Sequence, residues 1–125
     1  MFHASYSISN NYVRNIAEDY EGNIWIATQK GLNVYDRTKD RFIRFFNDPA
    51  DSSTIISNYI FCICVDSSDN IRIAAQDGLS YYNKKENKFT NYYQNLNNGQ
   101  LLPNGIIRYI KLDSKGRIWV STHRG

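Results

Sequence analysis

The chain repeats itself every 47 residues, and this period limits what it can fold into more than any other feature. Asp19, Asp66 and Asp113 lie 47 apart, as do Gly31, Gly78 and Gly125, and Ile16, Ile63 and Ile110. Leu32 with Leu79, Tyr35 with Tyr82 and Phe42 with Phe89 keep the same step. Trp25 and Trp119 are two steps apart, with Arg72 in the place between. A register held over so many positions marks a repeat architecture, in which one unit cannot bury its apolar face alone. After a lead-in at residues 1–8, two full units span 9–55 and 56–102. A third unit, 103–125, covers the first two strands of the pattern.

Each unit reads as four short strands. In the first they fall near 12–19, 23–28, 32–36 and 41–46, and they repeat at +47. Ile, Val, Tyr, Phe and Trp fill them, while Asp, Asn, Gly and Lys fill the joints, which is hairpin punctuation. No window shows sustained helical spacing, so the fold class is all-β. Four-stranded units of this length are the pattern of β-propeller blades, here two complete antiparallel blades and a half blade. The strand IFCICV, Ile60 to Val65, is apolar at every position and suits the innermost place in a blade. The fourth strand carries Arg41 and Arg44, or Lys88, charges that protect an exposed outer edge. Strand order from axis to rim therefore follows chain order. Burial is expected to peak at Ile16, Ile26, Val34, Ile63, Ile73, Ile110 and Val120.

The run D-Y-E-G-N-I-W-I-A-T-Q-K-G-L-N-V-Y-D over Asp19 to Asp36 closely resembles the two-component regulator propeller repeat. So does D-S-K-G-R-I-W-V-S-T-H-R-G over Asp113 to Gly125. The positions that carry the resemblance are Asp19, Gly22, Trp25 and Gly31, then Asp66 and Gly78, then Asp113, Gly116, Trp119 and Gly125. The middle unit departs from the pattern, with Asp69 where Gly is usual, Arg72 for Trp and Ala75 for Thr. The resemblance implies a piece of the sensor region of a bacterial hybrid histidine kinase, as in polysaccharide-responsive regulators of gut Bacteroidetes. There, blades close into seven-bladed propellers outside the inner membrane. It implies a periplasmic setting and an oligosaccharide ligand. The kinase itself has no counterpart in these residues.

Composition narrows the partners. Fifteen basic and twelve acidic residues leave a net charge of +3, too slight to imply nucleic acid. The densest basic stretch, Asp36 to Arg41 with Arg44, alternates with acids and reads as a solvated edge. No run of 18 apolar residues exists to span a membrane. The N-terminus has neither a charged start nor an apolar core, so no signal peptide is expected; expressed as it stands, the chain would be cytoplasmic.

Catalytic groups are not expected. Cys62 and Cys64 sit two apart on one strand, so both side chains share a face. Extended backbone holds their Cα atoms about 6.5 to 7 Å apart with parallel side chains, poor geometry for a disulfide. They read as buried free thiols. The only histidines, His3 and His123, lack ligand spacing, so no metal and no cofactor is expected. The repeated aspartates are not calcium loops, because the twelfth position holds Lys30, Asp77 and Arg124 instead of glutamate. No nucleophile elbow, zinc-protease motif or phosphate loop occurs. Trp25 and Trp119 could stack on sugars, but their repetition favours packing between blades.

Recognition is better sought where the repeat varies. On the first strand of each unit, Arg14, Phe61 and Arg108 share one slot, and Asn15, Cys62 and Tyr109 the next. The preceding loops, including Asn58 and Tyr59, open on one rim of the propeller. Arg14, Asn15, Asn58, Tyr59, Arg108 and Tyr109 therefore form the candidate ligand mouth. Two functions follow. One is a ligand-sensing module that recognises a carbohydrate or relays a change through propeller packing. The other is a structural or interaction module that joins the remaining blades of a propeller, or further copies of this chain, and binds no small molecule.

Overall fold

Alternating or continuous apolar runs broken by Asx- and Gly-bearing turns produce eleven strands and no helix in the described residues of this computed structural model, 2–5, 8–93 and 107–122. Blade 1 contains β1 (Phe2–Ser5), β2 (Val13–Glu18), β3 (Ile24–Thr28), β4 (Gly31–Asp36) and β5 (Arg41–Phe45). Blade 2 contains β6 (Ile60–Val65), β7 (Ile71–Ala75), β8 (Gly78–Asn83) and β9 (Lys88–Tyr93). The half blade is β10 (Ile107–Leu112) and β11 (Ile118–Thr122). Neighbouring strands pair antiparallel, and in each blade chain order is spatial order from β2, β6 or β10 outwards. β6 lies between β2 and β10, so the three first strands stand side by side at the axis.

One strand departs from expectation. The lead-in does not stay outside the sheets, because β1 adds to β5 with Phe2 opposite Phe45 and Ser5 opposite Phe42. The outer edge of blade 1 is thus covered by backbone pairing rather than guarded only by Arg41 and Arg44.

The tight turns after the first strands are built three times from one device. The Asp19 carboxylate oxygen Oδ1 accepts from the backbone N–H of Glu21 and Asn23, and the Asp19 N–H donates to the Asn23 carbonyl. Asp66 does the same over Ser68 and Asn70, and Asp113 over Lys115 and Arg117. Each turn needs a left-handed residue, supplied by Gly22 (φ 85°), Asp69 (φ 62°) and Gly116 (φ 81°). A short polar side chain tolerates that conformation, so the missing glycine of the middle unit leaves the turn intact.

The core lies between blades 1 and 2. Trp25, Leu32, Val34 and Phe45 of one face Ile63, Ile71, Ile73, Tyr82 and Phe89 of the other, with Ile55 and Ile56 of the connecting segment closing the space. Trp25 stacks on Phe45 at 5.8 Å and meets Tyr82 at 5.5 Å. The connection is itself tied down: Asn47 donates to the Ile55 carbonyl, and the Ile56 N–H donates to Ser80 Oγ.

Burial follows this packing rather than the repeat alone. Val34, Ile63, Ile73 and Ile110 are buried as expected, but Ile16 is 61% exposed and Val120 37% exposed, while Ile26 is half-buried. Ile63 is covered by blade 1 and Ile110 by Cys62 and Ala74 of blade 2. No described residue covers the equivalent face of blade 1, which leaves Ile16 bare. Val120 is the counterpart of Ile73, which Ile55 and Ile56 help to bury; the matching connection, 94–106, lies outside the described residues.

Candidate functional site

The first strand of every blade is interrupted at the same place. Pairing shifts register between Val13 and Asn15, between Ile60 and Cys62, and between Ile107 and Tyr109. The extra residues are Arg14, Phe61 and Arg108, the variable slot of the repeat. A β-bulge leaves its extra residue without a partner across the ladder and re-aims the side chain, so it recurs next to functional surfaces. Here the bulges set Arg14 and Phe61 on one rim, at the N-terminal ends of the axial strands.

The Arg14 guanidinium lies 5.5 Å from the centre of the Phe61 ring, 5.9 Å from Tyr59 and 5.8 Å from Tyr12. Tyr59 and Phe61 meet edge to face at 5.3 Å. Arg14 is half-buried in this group and pairs with no carboxylate among the described residues. Arg14 and Tyr59 are therefore brought together, and Tyr12 and Phe61 join them. The signal for Phe61 lay in its slot, which matches that of Arg14.

Asn15 and Asn58 do other work. Asn15 Oδ1 accepts from the Ile63 N–H of blade 2 at 2.9 Å, tying two axial strands together. Cys62, the same slot one repeat on, donates its thiol to the Ile110 carbonyl at 3.5 Å. Asn58 Oδ1 accepts from the Asn47 N–H, and its carbonyl accepts from Gly31, so it anchors the connection between blades. Tyr109 is 52% exposed at the axis. The side chain of Arg108 lies outside the described residues, as does Gly125.

Between the axial strands runs a groove of about 370 Å³ lined by Asn15, Cys62, Cys64, Tyr109 and Lys111 among others. Burial pushes both thiols up, Cys64 to about 11, so neither is a thiolate nucleophile near neutral pH. Both cysteines are free.

The opposite rim, where the Asp turns lie, holds a group that the sequence reading missed. Lys84 Nζ sits 3.0 Å from Asp19 Oδ2, 2.6 Å from Glu21 Oε1 and 2.7 Å from Asp69 Oδ2. Asp69 also accepts from the Tyr20 N–H across the blade boundary. The departure at Asp69 is thus one half of a bolt between blades. Its signal was the coincidence, in one unit, of Asp69 in a glycine slot with a lysine facing it. Arg72, in the tryptophan slot, donates to Asp66 Oδ2 at 3.2 Å, as Trp25 and Trp119 donate to Asp19 and Asp113 at 2.9 Å. A cavity of about 190 Å³ beside Trp25, Phe45, Tyr82 and Lys84 lies above this bolt. Asp19 is paired there with Lys84 and Tyr82 with Asn87, while Asp36 accepts from the Thr38 and Lys39 N–H groups.

Comparison with known proteins bears on the fold. Residues 7–30 and 101–124 match the two-component regulator propeller family. The extracellular domain of the two-component system protein BT4673 from B. thetaiotaomicron superposes with a TM-score of 0.72 at 23% identity over 92% of this chain. A second structure of that domain, described as part of a one-component system, gives the same values. The extracellular domain of the hybrid two-component system protein BT3049 from the same organism gives 0.63 at 18% identity, again over 92%. This chain spans 15% and 22% of the length of those domains. Among curated proteins, none matches it.

Proposed function

We propose that this chain, which carries two-component regulator propeller repeats, serves as ligand-recognising blades in the extracytoplasmic sensor of a signalling protein and performs no catalysis. The observation that carries this reading is the repeated bulge, which collects Arg14, Tyr12, Tyr59 and Phe61 on one rim beside the axial groove. A charged fork among aromatic faces suits a sugar ring, which offers apolar C–H faces and hydroxyl acceptors together. The similarity to extracellular domains of two-component systems supports a periplasmic setting. Calorimetric titration of the protein with a panel of neutral and acidic oligosaccharides, against matched buffer, tests the reading. Heat from at least one glycan that disappears with Tyr59→Ala is expected; silence across the panel overturns it.

A second reading is supported by the two outermost faces. Ile16 is 61% exposed and Trp119 60%, although their counterparts Ile63 and Trp25 are buried between blades. Such faces suit packing against further blades, in which case the chain is an assembly module. Light scattering across a dilution series checks this: concentration-dependent association supports assembly, and a constant mass near 15 kDa at tens of micromolar argues against it.

A further inference from the structure

The acids of the Asp-turn rim have basic partners: Lys84 sits among Asp19, Glu21 and Asp69, Arg37 is paired with Glu18, Arg72 with Asp66 and Arg117 with Asp113. On the other rim the axial strands β2 and β6 are preceded by the neutral Asn10-Asn11-Tyr12 and Ser57-Asn58-Tyr59, and the bulge slot of β2 carries Arg14. Asp77, exposed in the β7–β8 turn, and Asp48 and Asp51 of the connection between blades are not paired with Arg14. Arg14 is therefore a half-buried cation beside three aromatic rings, with no carboxylate among the described residues paired to it.

We infer that Arg14 reads an anionic group, and that the rim selects a sugar bearing a carboxylate over its neutral counterpart. This deepens, and rests on, the carbohydrate reading above. The physical grounds are the guanidinium's shape and its surroundings. A planar fork of N–H donors matches a carboxylate with two parallel hydrogen bonds, which a neutral hydroxymethyl cannot return. Tyr12, Tyr59 and Phe61 lie beside the guanidinium, so the pyranose attached to that carboxylate has an aromatic surface to rest on. Because the rings orient the guanidinium before any ligand arrives, less freedom is lost on binding.

The test compares a short oligogalacturonate with a neutral galacto-oligosaccharide of equal length, on the full chain and on Arg14→Gln, by calorimetry at low and moderate salt. The uronate is expected to bind about tenfold or more tighter, the value of one charge-assisted bidentate contact. Arg14→Gln should erase that preference while leaving the melting temperature in place. If that variant does not fold, Arg14→Lys, which keeps the charge and loses the fork, should retain only part of the preference. Equal or tighter binding of the neutral sugar leaves the carbohydrate reading standing and overturns the inference. An unchanged preference in Arg14→Gln overturns it too, as does tighter binding of a sulfated oligosaccharide than of the uronate. Absence of binding to every sugar removes both.

Discussion

Trp25 Nε1 donates to Asp19 Oδ2 at 2.9 Å, and Trp119 makes the same bond to Asp113 at the same distance, yet the two indoles are 3% and 60% exposed. The bond is local to the turn, whereas burial comes from the blade that follows. Trp25→Ala should therefore cost about 3 to 5 kcal/mol, as for a large aromatic removed from a core. Trp119→Ala should cost less than about 1 kcal/mol, the range of an exposed position. Urea denaturation of both variants measures the difference, and acrylamide should quench Trp119 far more than Trp25.

A parallel contrast separates Ile63 from Ile16. Ile63→Ala is expected to lose about 2 to 4 kcal/mol, because its neighbours across the blade boundary cannot fully close the gap. Ile16→Ala should change stability by no more than about 0.5 kcal/mol. Equal shifts in the urea midpoint would contradict the packing order of the blades.

The Lys84 bolt sets limits on pH. Burial pushes the Asp19 carboxyl up, but donors from Trp25, Lys84 and Asn23 outweigh it and hold the group below its ordinary value. Its contribution to stability is complete above the unfolded value of about 3.9 and is lost as pH falls through the lower folded one. For Lys84, burial works downwards, and the hydrogen bonds that its ammonium donates to Asp69, Glu21 and Asp19 raise it overall. Its contribution is complete below the unfolded value of about 10.4 and is lost as pH rises through the folded one. The melting temperature should thus hold a plateau between these limits. Lys84→Met should lower the unfolding free energy by about 1.5 to 3 kcal/mol at neutral pH and remove the alkaline decline.

Asp69→Gly tests the same bolt from the other side. Glycine relieves a left-handed backbone, a gain of about 1 kcal/mol. It also removes charge-assisted contacts to Lys84 and the Tyr20 N–H, each worth about 1.5 to 3 kcal/mol. Net destabilisation is expected in a thermal melt, so restoring the residue usual at this slot should weaken the protein. A stabilised variant would mean the bolt contributes little.

Much of the fold was legible because it is local. The 47-residue step, the Asp turns and the strand lengths are set by residues within a few places of one another, and every expected strand after the lead-in lies within a residue or so of its observed bounds. The candidate mouth was legible only in part. The variable slot singled out Arg14 and Phe61, but nothing in one strand's alternation reveals that the slot is a bulge, which exists only relative to the paired strand.

What the amino-acid sequence determined by itself was the unit: an all-β blade, its order from axis to rim, and the turn that each aspartate builds. What the tertiary structure decided was how equivalent positions differ. Ile16, Ile63 and Ile110 occupy one register and are 61%, 4% and 2% exposed, and Lys84 finds Asp19 and Glu21 across a blade boundary. The reason is physical. Backbone pairing and Asx turns are satisfied inside a unit, so its own residues suffice to specify them. Burial and charge pairing belong to faces, and a face acquires its environment only from the blade that packs against it.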